Sequence, residues 1–152
     1  CAIMAGDTWE NQTIIDNAGK DNATNVYLST FFDENDSGAA DFVKGYKEFL
    51  NSDNANLTLN GGNDVVAAVS ALGYDAYMTL VEALKKVDPA NVNSVAIRDA
   101  LKTVSFNGVT GSISFDENGD AKKDTAFIKE MADGAFKFLG TQKTDGSFNA
   151  AN

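Results

Sequence analysis

The strongest constraint on the fold is a change of hydrophobic period along the chain. Between Asp64 and Val87 the apolar residues Val65, Val69, Leu72, Ala76, Leu80, Ala83 and Val87 recur at steps of three or four. Only a helix brings that spacing onto one face, so one long helix over 64–87 with a buried stripe is predicted. Asp64 is placed to cap the free amides of the first turn, Lys85 and Lys86 suit the negative end, and Asp88-Pro89 stops it. In the final third the period falls to two. Gly111-Ser112-Ile113-Ser114-Phe115 alternates strictly and Asn118-Gly119 follows as a turn signal. Asp133-Gly134 then lies between Thr125 to Met131 and Ala135 to Gly140, which reads as a β-hairpin.

The remaining segments mix both periods. Ala2-Ile3-Met4-Ala5 reads as a buried strand feeding a loop at Gly6-Asp7, with Cys1 as a strand residue near a boundary of the chain. A short helix is expected from Asn11 to Ala18, stopped by Gly19. Asn25 to Phe32 is rich in aromatic and β-branched residues and reads as a strand. Phe42, Tyr46, Phe49 and Leu50 form the stripe of a further helix, and Asn51 to Asn63 reads as a loop. Asn93 or Ser94 can cap a helix with Ile97, Leu101 and Val104 inward. Residues 141–152 are polar and expected to fray. The class is α/β, but four or five unevenly spaced strands do not describe a complete doubly wound sheet.

Composition narrows the chemistry. The 152 residues carry 12 basic and 22 acidic side chains, a net charge of −10, and this sign repels phosphate backbones, so no nucleic-acid partner is expected. There is no histidine and one cysteine, which removes imidazole-activated nucleophiles, Cys-rich zinc sites and an internal disulfide. No metal, cofactor or enzymatic activity is therefore expected. Asp116, Asn118 and Asp120 alternate as calcium ligands do, but Ala121 and Phe127 stand where an EF-hand needs glycine and glutamate. No apolar run approaches the ~20 residues of a membrane span, and the first residues lack the pattern of a signal peptide. Cys1 as a lipidated first residue is the competing reading to the strand. Four sequons, at Asn11, Asn22, Asn35 and Asn56, are of the number an Asn-rich chain produces freely.

Three stretches carry a resemblance. Phe106-Asn107-Gly108-Val109-Thr110-Gly111-Ser112-Ile113-Ser114-Phe115-Asp116-Glu117-Asn118-Gly119-Asp120 is similar to a hairpin near the C-terminus of type I periplasmic binding proteins. Leu72-Gly73-Tyr74-Asp75-Ala76, followed by Glu82-Ala83-Leu84, looks like a helix of the same family. Ile3-Met4-Ala5-Gly6-Asp7-Thr8-Trp9 resembles its strand and ligand loop. The chain thus resembles the C-terminal portion of a branched-chain amino-acid-binding-like, extracytoplasmic solute-binding protein of an ABC transporter.

The resemblance implies a partial type I fold with Rossmann-like lobes. Residues 1–26 and 125–140 would be pieces of the second lobe, and 42–115 a piece of the first. An amino acid or similar small polar solute would bind in an interlobe cleft that closes by hinge motion, and the closed form would dock on a membrane permease. The location would be periplasmic or, with a lipid anchor, the cell surface. In the family an acidic residue of the ligand loop receives the ligand ammonium, which points to Asp7; a turn or capping role is the other reading of Asp7. Trp9 could wall the ligand's carbon skeleton or pack in the core. Phe31 and Phe32 point to opposite faces, so at most one, Phe31, reaches the cleft. Most groups for the ligand carboxylate would lie outside this chain. Alone, the chain is then expected to bind weakly or not at all and can self-associate. The alternatives are a ligand-sensing domain of a receptor or regulator, an enzyme pairing Asp7 with an acid such as Glu10, and a small surface module without ligand.

Overall fold

The computed structural model describes residues 1–151. In chain order the elements are β1 (Ile3–Ala5), a 3-10 turn (Asp7–Trp9), α1 (Gln12–Ala18), β2 (Val26–Thr30), a 3-10 turn (Ser37–Ala39), α2 (Ala40–Asn51), α3 (Asn54–Leu59) and α4 (Ala68–Leu84). There follow a 3-10 turn (Pro89–Asn91), α5 (Ser94–Leu101), β3 (Ser105–Gly108), β4 (Gly111–Ser114), β5 (Thr125–Ala132), β6 (Ala135–Lys143) and β7 (Phe148–Ala150). Two compact units result. One holds Cys1–Ala68 and the chain from Asp124 onward; the other is Val69–Lys123.

The first unit is built on a mixed sheet in the order β1-β2-β5-β6-β7. β1 and β2 are parallel, with Ile3, Met4 and Ala5 opposite Val26, Tyr27 and Leu28, and α1 lies between them in sequence. Asn11 caps α1 by accepting from Thr13 N, and Gly19 at φ 81° ends it, as the residue types predict. Period-two alternation buries Val26, Leu28 and Thr30, and Val26 and Leu28 with Met131, Ala23 and Ile15 form the apolar core. Complete burial of Leu28 or Ile15 contributes about 1.5–3 kcal/mol each. The hairpin of β5 and β6 closes with Asp133 at φ 56° and Gly134 at φ 82°, both left-handed as a type I′ turn requires.

Three expectations for this unit need correction. β1 is an edge strand and not buried: Ile3 is 47% and Met4 63% exposed, and Cys1 is exposed and outside the strand. Residues 51–63 contain α3, because Asp53 accepts from Ala55 N and starts a helix in a stretch whose composition looks like loop. Of the stretch 141–152 expected to fray, β6 continues to Lys143 and β7 (Phe148–Ala150) pairs with it antiparallel, while Asn152 lies outside the described residues.

The second unit joins α4 and α5 to the β3–β4 hairpin. Asn93 caps α5 through the amides of Val95 and Ala96. α4 is one unbroken helix through Gly73, but it is shorter than predicted and buries only part of the predicted stripe. Asp64 does not cap it; its carboxylate accepts from Asn51 Nδ2 at 3.1 Å. The preceding residues are held outside the helix, with Val66 N donating to Glu34 at 3.1 Å. The buried positions of α4 are Ala68, Ala71, Asp75, Thr79 and Ala83; of the predicted stripe Ala83 and, beyond the helix, Val87 are buried and Leu72 is half-buried, whereas Val65, Val69, Ala76 and Leu80 are exposed.

The reason is Asp75. Buried, it accepts from Val109 N at 2.9 Å, from Thr110 N at 2.8 Å and from the Thr110 hydroxyl at 2.6 Å. Lys123 Nζ donates to the Thr110 carbonyl and hydroxyl at 2.9 and 2.8 Å. Since apolar residues surround α4, this polar anchor and not hydrophobicity selects the inward face. It also explains Gly108, where a Cβ would lie 2.4 Å from Asp75 Oδ1. The glycine serves close approach, while Gly111, at φ 93°, serves the turn.

Candidate functional site

Parallel strands present the loops that follow them on a common edge, where α/β sheets receive ligands. The chain leaves β1 through Gly6 into the Asp7–Trp9 turn and leaves β2 directly into Phe31. The structure thus places Asp7, Trp9 and Phe31 on one edge of the sheet. Asp7 is exposed, and its carboxylate makes no hydrogen bond within the described residues; its carbonyl accepts from Glu10 N at 2.9 Å. Capping of α1 falls to Asn11. Trp9 is 41% exposed, so it is not a core residue. Phe31 is half-buried, whereas Phe32 is buried and meets Phe42 edge-on at 6.1 Å, the division that alternation predicts.

Glu10, which sequence reasoning weighed only as an acid partner of Asp7, belongs to a group of charges whose other members it missed. Lys129 on β5 is 6% exposed. Its ammonium pairs with Glu10 Oε1 and, at 2.8 Å, with Asp33 Oδ2. Glu10 Oε2 accepts from the Thr30 hydroxyl at 2.7 Å, and Asp33 Oδ1 accepts from Asn35 N and Nδ2 at 2.8 and 3.0 Å. Burial pushes the Asp33 carboxyl upward, but the Lys129 ammonium and the Asn35 donors outweigh it and hold the group below the ordinary carboxylate value. Ionised, the edge carries Asp7, Glu10 and Asp33 against one lysine, an excess of negative charge suited to a cationic ligand group. One signal was available: Phe127, Lys129 and Met131 alternate, which puts a lysine at a core position of a strand.

The described residues contain no group of three or more acidic or cysteine side chains arranged for a metal, and no helix long and apolar enough to cross a membrane.

Comparison with known proteins follows the same line. The family described as the receptor family ligand binding region matches residues 2–134. A leucine-binding protein, LivK, from Thermotoga maritima is 30% identical with a TM-score of 0.74, covering 95% of this chain and 38% of its own. An ABC transporter substrate-binding protein from Desulfitobacterium hafniense is 29% identical with a TM-score of 0.65, covering 91% and 35%. The branched-chain amino-acid transporter substrate-binding protein LivJ from Streptococcus pneumoniae, solved with isoleucine, is 25% identical with a TM-score of 0.70, covering 99% and 37%. No curated protein sequence matches. The chain spans less than two fifths of the length of these solved relatives. Matched by the family over most of its length and by its solved relatives in fold, the chain belongs to the receptor family of ligand-binding regions and carries part of the type I periplasmic-binding fold.

Proposed function

We propose that the chain is part of the extracytoplasmic solute-binding component of an ABC importer, binding an amino acid or a similar small polar solute. The observation that carries this reading is the exposed Asp7 carboxylate at the carboxyl ends of β1 and β2, with Trp9 and Phe31 on the same edge. A ligand ammonium meeting Asp7 makes a charge-assisted hydrogen bond, while Trp9 and Phe31 offer apolar surface to the carbon skeleton. The relatives, a leucine-binding protein and a branched-chain amino-acid transporter substrate-binding protein, support an amino acid as the class. In this reading residues 1–26 and 125–140 are pieces of one lobe and 42–115 a piece of the other. Hinge closure around the ligand, the motion of periplasmic binding proteins, presents the closed form to a membrane permease. The protein resides in the periplasm or, through a lipid anchor, at the cell surface.

The test is Asp7→Asn in the intact binding protein, titrated calorimetrically with L-leucine and L-isoleucine. The change keeps the shape and removes the charge, so affinity should fall by about 1.5–3 kcal/mol, roughly ten- to a hundred-fold. The denaturation midpoint should hold, because Asp7 is exposed. Equal affinities in both proteins would remove Asp7 from the site.

The family's own description favours a second reading, a ligand sensor of a receptor. It shares the solute chemistry and differs in the partner. Uptake of labelled ligand by vesicles carrying the permease and ATPase separates the two, since a sensor gives none.

A further inference from the structure

The Asp7–Trp9 turn contains no buried residue, so no core side chain anchors it. Its own backbone bonds, Trp9 N to the Gly6 carbonyl at 3.1 Å and Glu10 N to the Asp7 carbonyl at 2.9 Å, shape the turn without tying it to the sheet. The tie is the side chain of Glu10, the residue that closes the turn. One of its oxygens receives the Thr30 hydroxyl at the end of β2, and the other receives the Lys129 ammonium. Lys129 also holds Asp33, which follows Phe31 by two positions, at 2.8 Å. Side-chain exposure is 7% for Lys129, 12% for Glu10 and 6% for Asp33, so water screens these pairs little.

We propose that Lys129 is the positioning residue of the ligand edge. Clamped between Glu10 and Asp33, its ammonium fixes the Asp7–Trp9 turn against the end of β2 and so sets where Asp7 presents its carboxylate. A buried charge is a poor way to gain stability, because desolvation offsets the attraction, and an apolar side chain between Phe127 and Met131 would suit the core as well. What the lysine adds is direction: one donor group satisfies two loops at once. The purpose given to the turn rests on the solute-binding reading above; the clamp stands on geometry alone.

Trp9 is the only tryptophan of the chain and precedes Glu10, so it reports on the turn without any ligand. The decisive variant is Lys129→Met with Glu10→Gln and Asp33→Asn, which removes all three charges with little change of shape. The sheet should keep its far-UV circular dichroism and cooperative melting. Quenching of Trp9 by acrylamide should rise about two-fold and the fast part of its anisotropy decay should grow, because a loop held by few contacts moves on the nanosecond scale. Glu10→Gln alone, which removes one ion pair and keeps the bond to Thr30, should shift Trp9 in the same direction by less, and it decides the matter if the triple variant fails to fold. An unchanged Trp9 signal in a folded variant, even one with a lower melting temperature, would overturn the proposal and leave Lys129 a purely structural residue. Neither readout uses a ligand, so the clamp and the role of Asp7 fail or stand separately.

Discussion

At Gly108 the missing side chain makes room for the Asp75 carboxylate, which cannot retreat from the amides of Val109 and Thr110 that it accepts. Gly108→Ala should therefore cost about 1–3 kcal/mol as an overpacked site. Asp75→Ala, which strands those buried donors, should cost about 2–4 kcal/mol. Carried together, the two changes should cost less than their sum, since removing the carboxylate frees the space the new methyl needs. Urea denaturation followed by circular dichroism measures all three; strict additivity would show that the residues do not share one site. Asp33 gives a dependence on pH. Its carboxyl lies below the ordinary value in the folded protein, so its contribution is present above the unfolded value of about 3.9 and is lost as pH falls through the folded one. The gap in melting temperature between the protein and Asp33→Asn should then stay constant down to about pH 5 and narrow below about pH 4. A gap that widens in acid would reverse the assignment.

The elements read best from sequence are those fixed by their own ends. Asn11 with Gly19, Asn93, and Asp133-Gly134 each satisfy local amides or local dihedrals, so α1, α5 and the β5–β6 hairpin stood where their residue types put them. The face of α4 was illegible because it is chosen by a bond to Thr110, far along the chain, on a helix apolar all round. α3 and β7 were missed for a related reason: polar stretches carry no periodic apolar signal, and what orders them is Asp53 in one case and Gly140 in the other. Of the candidate site, the positions of Asp7, Trp9 and Phe31 just after strands were legible in the sequence, whereas the pairing of Lys129 with Glu10 and Asp33 needed the register of β5 on β2. Gly140 sits at φ 147°, and a Cβ there would lie 2.2 Å from the Asn149 carbonyl oxygen and 2.9 Å from Ala150 Cα. Gly140→Ala should detach β7 alone. Hydrogen exchange should show the amides of Lys143 and Ala151, which bond across β6 and β7, losing protection while Met131 keeps its own. Equal loss at Met131 would mean that β7 is no separable element.

Across the whole molecule, one side of α4 bears Val69, Tyr77, Leu80 and Leu84 at 73%, 65%, 41% and 40% exposure. Contiguous apolar surface of this kind drives association in water. The isolated chain should self-associate with rising concentration, and Tyr77→Lys with Leu80→Lys should shift it toward monomer in sedimentation velocity. Association unchanged by the pair would place the contact elsewhere. Time enters through the sheet order. β5, β6 and β7 are neighbours in sequence and pair at small loop-closure cost, whereas the bond of Lys129 to Glu10 spans 119 positions. Contacts of that separation form late. Refolding then completes the β5–β6 and β6–β7 hairpins first and the β2–β5 pairing and the Glu10–Lys129 clamp after them, so in a chain emerging from denaturant the Asp7–Trp9 turn settles only once the two ends of the chain have met.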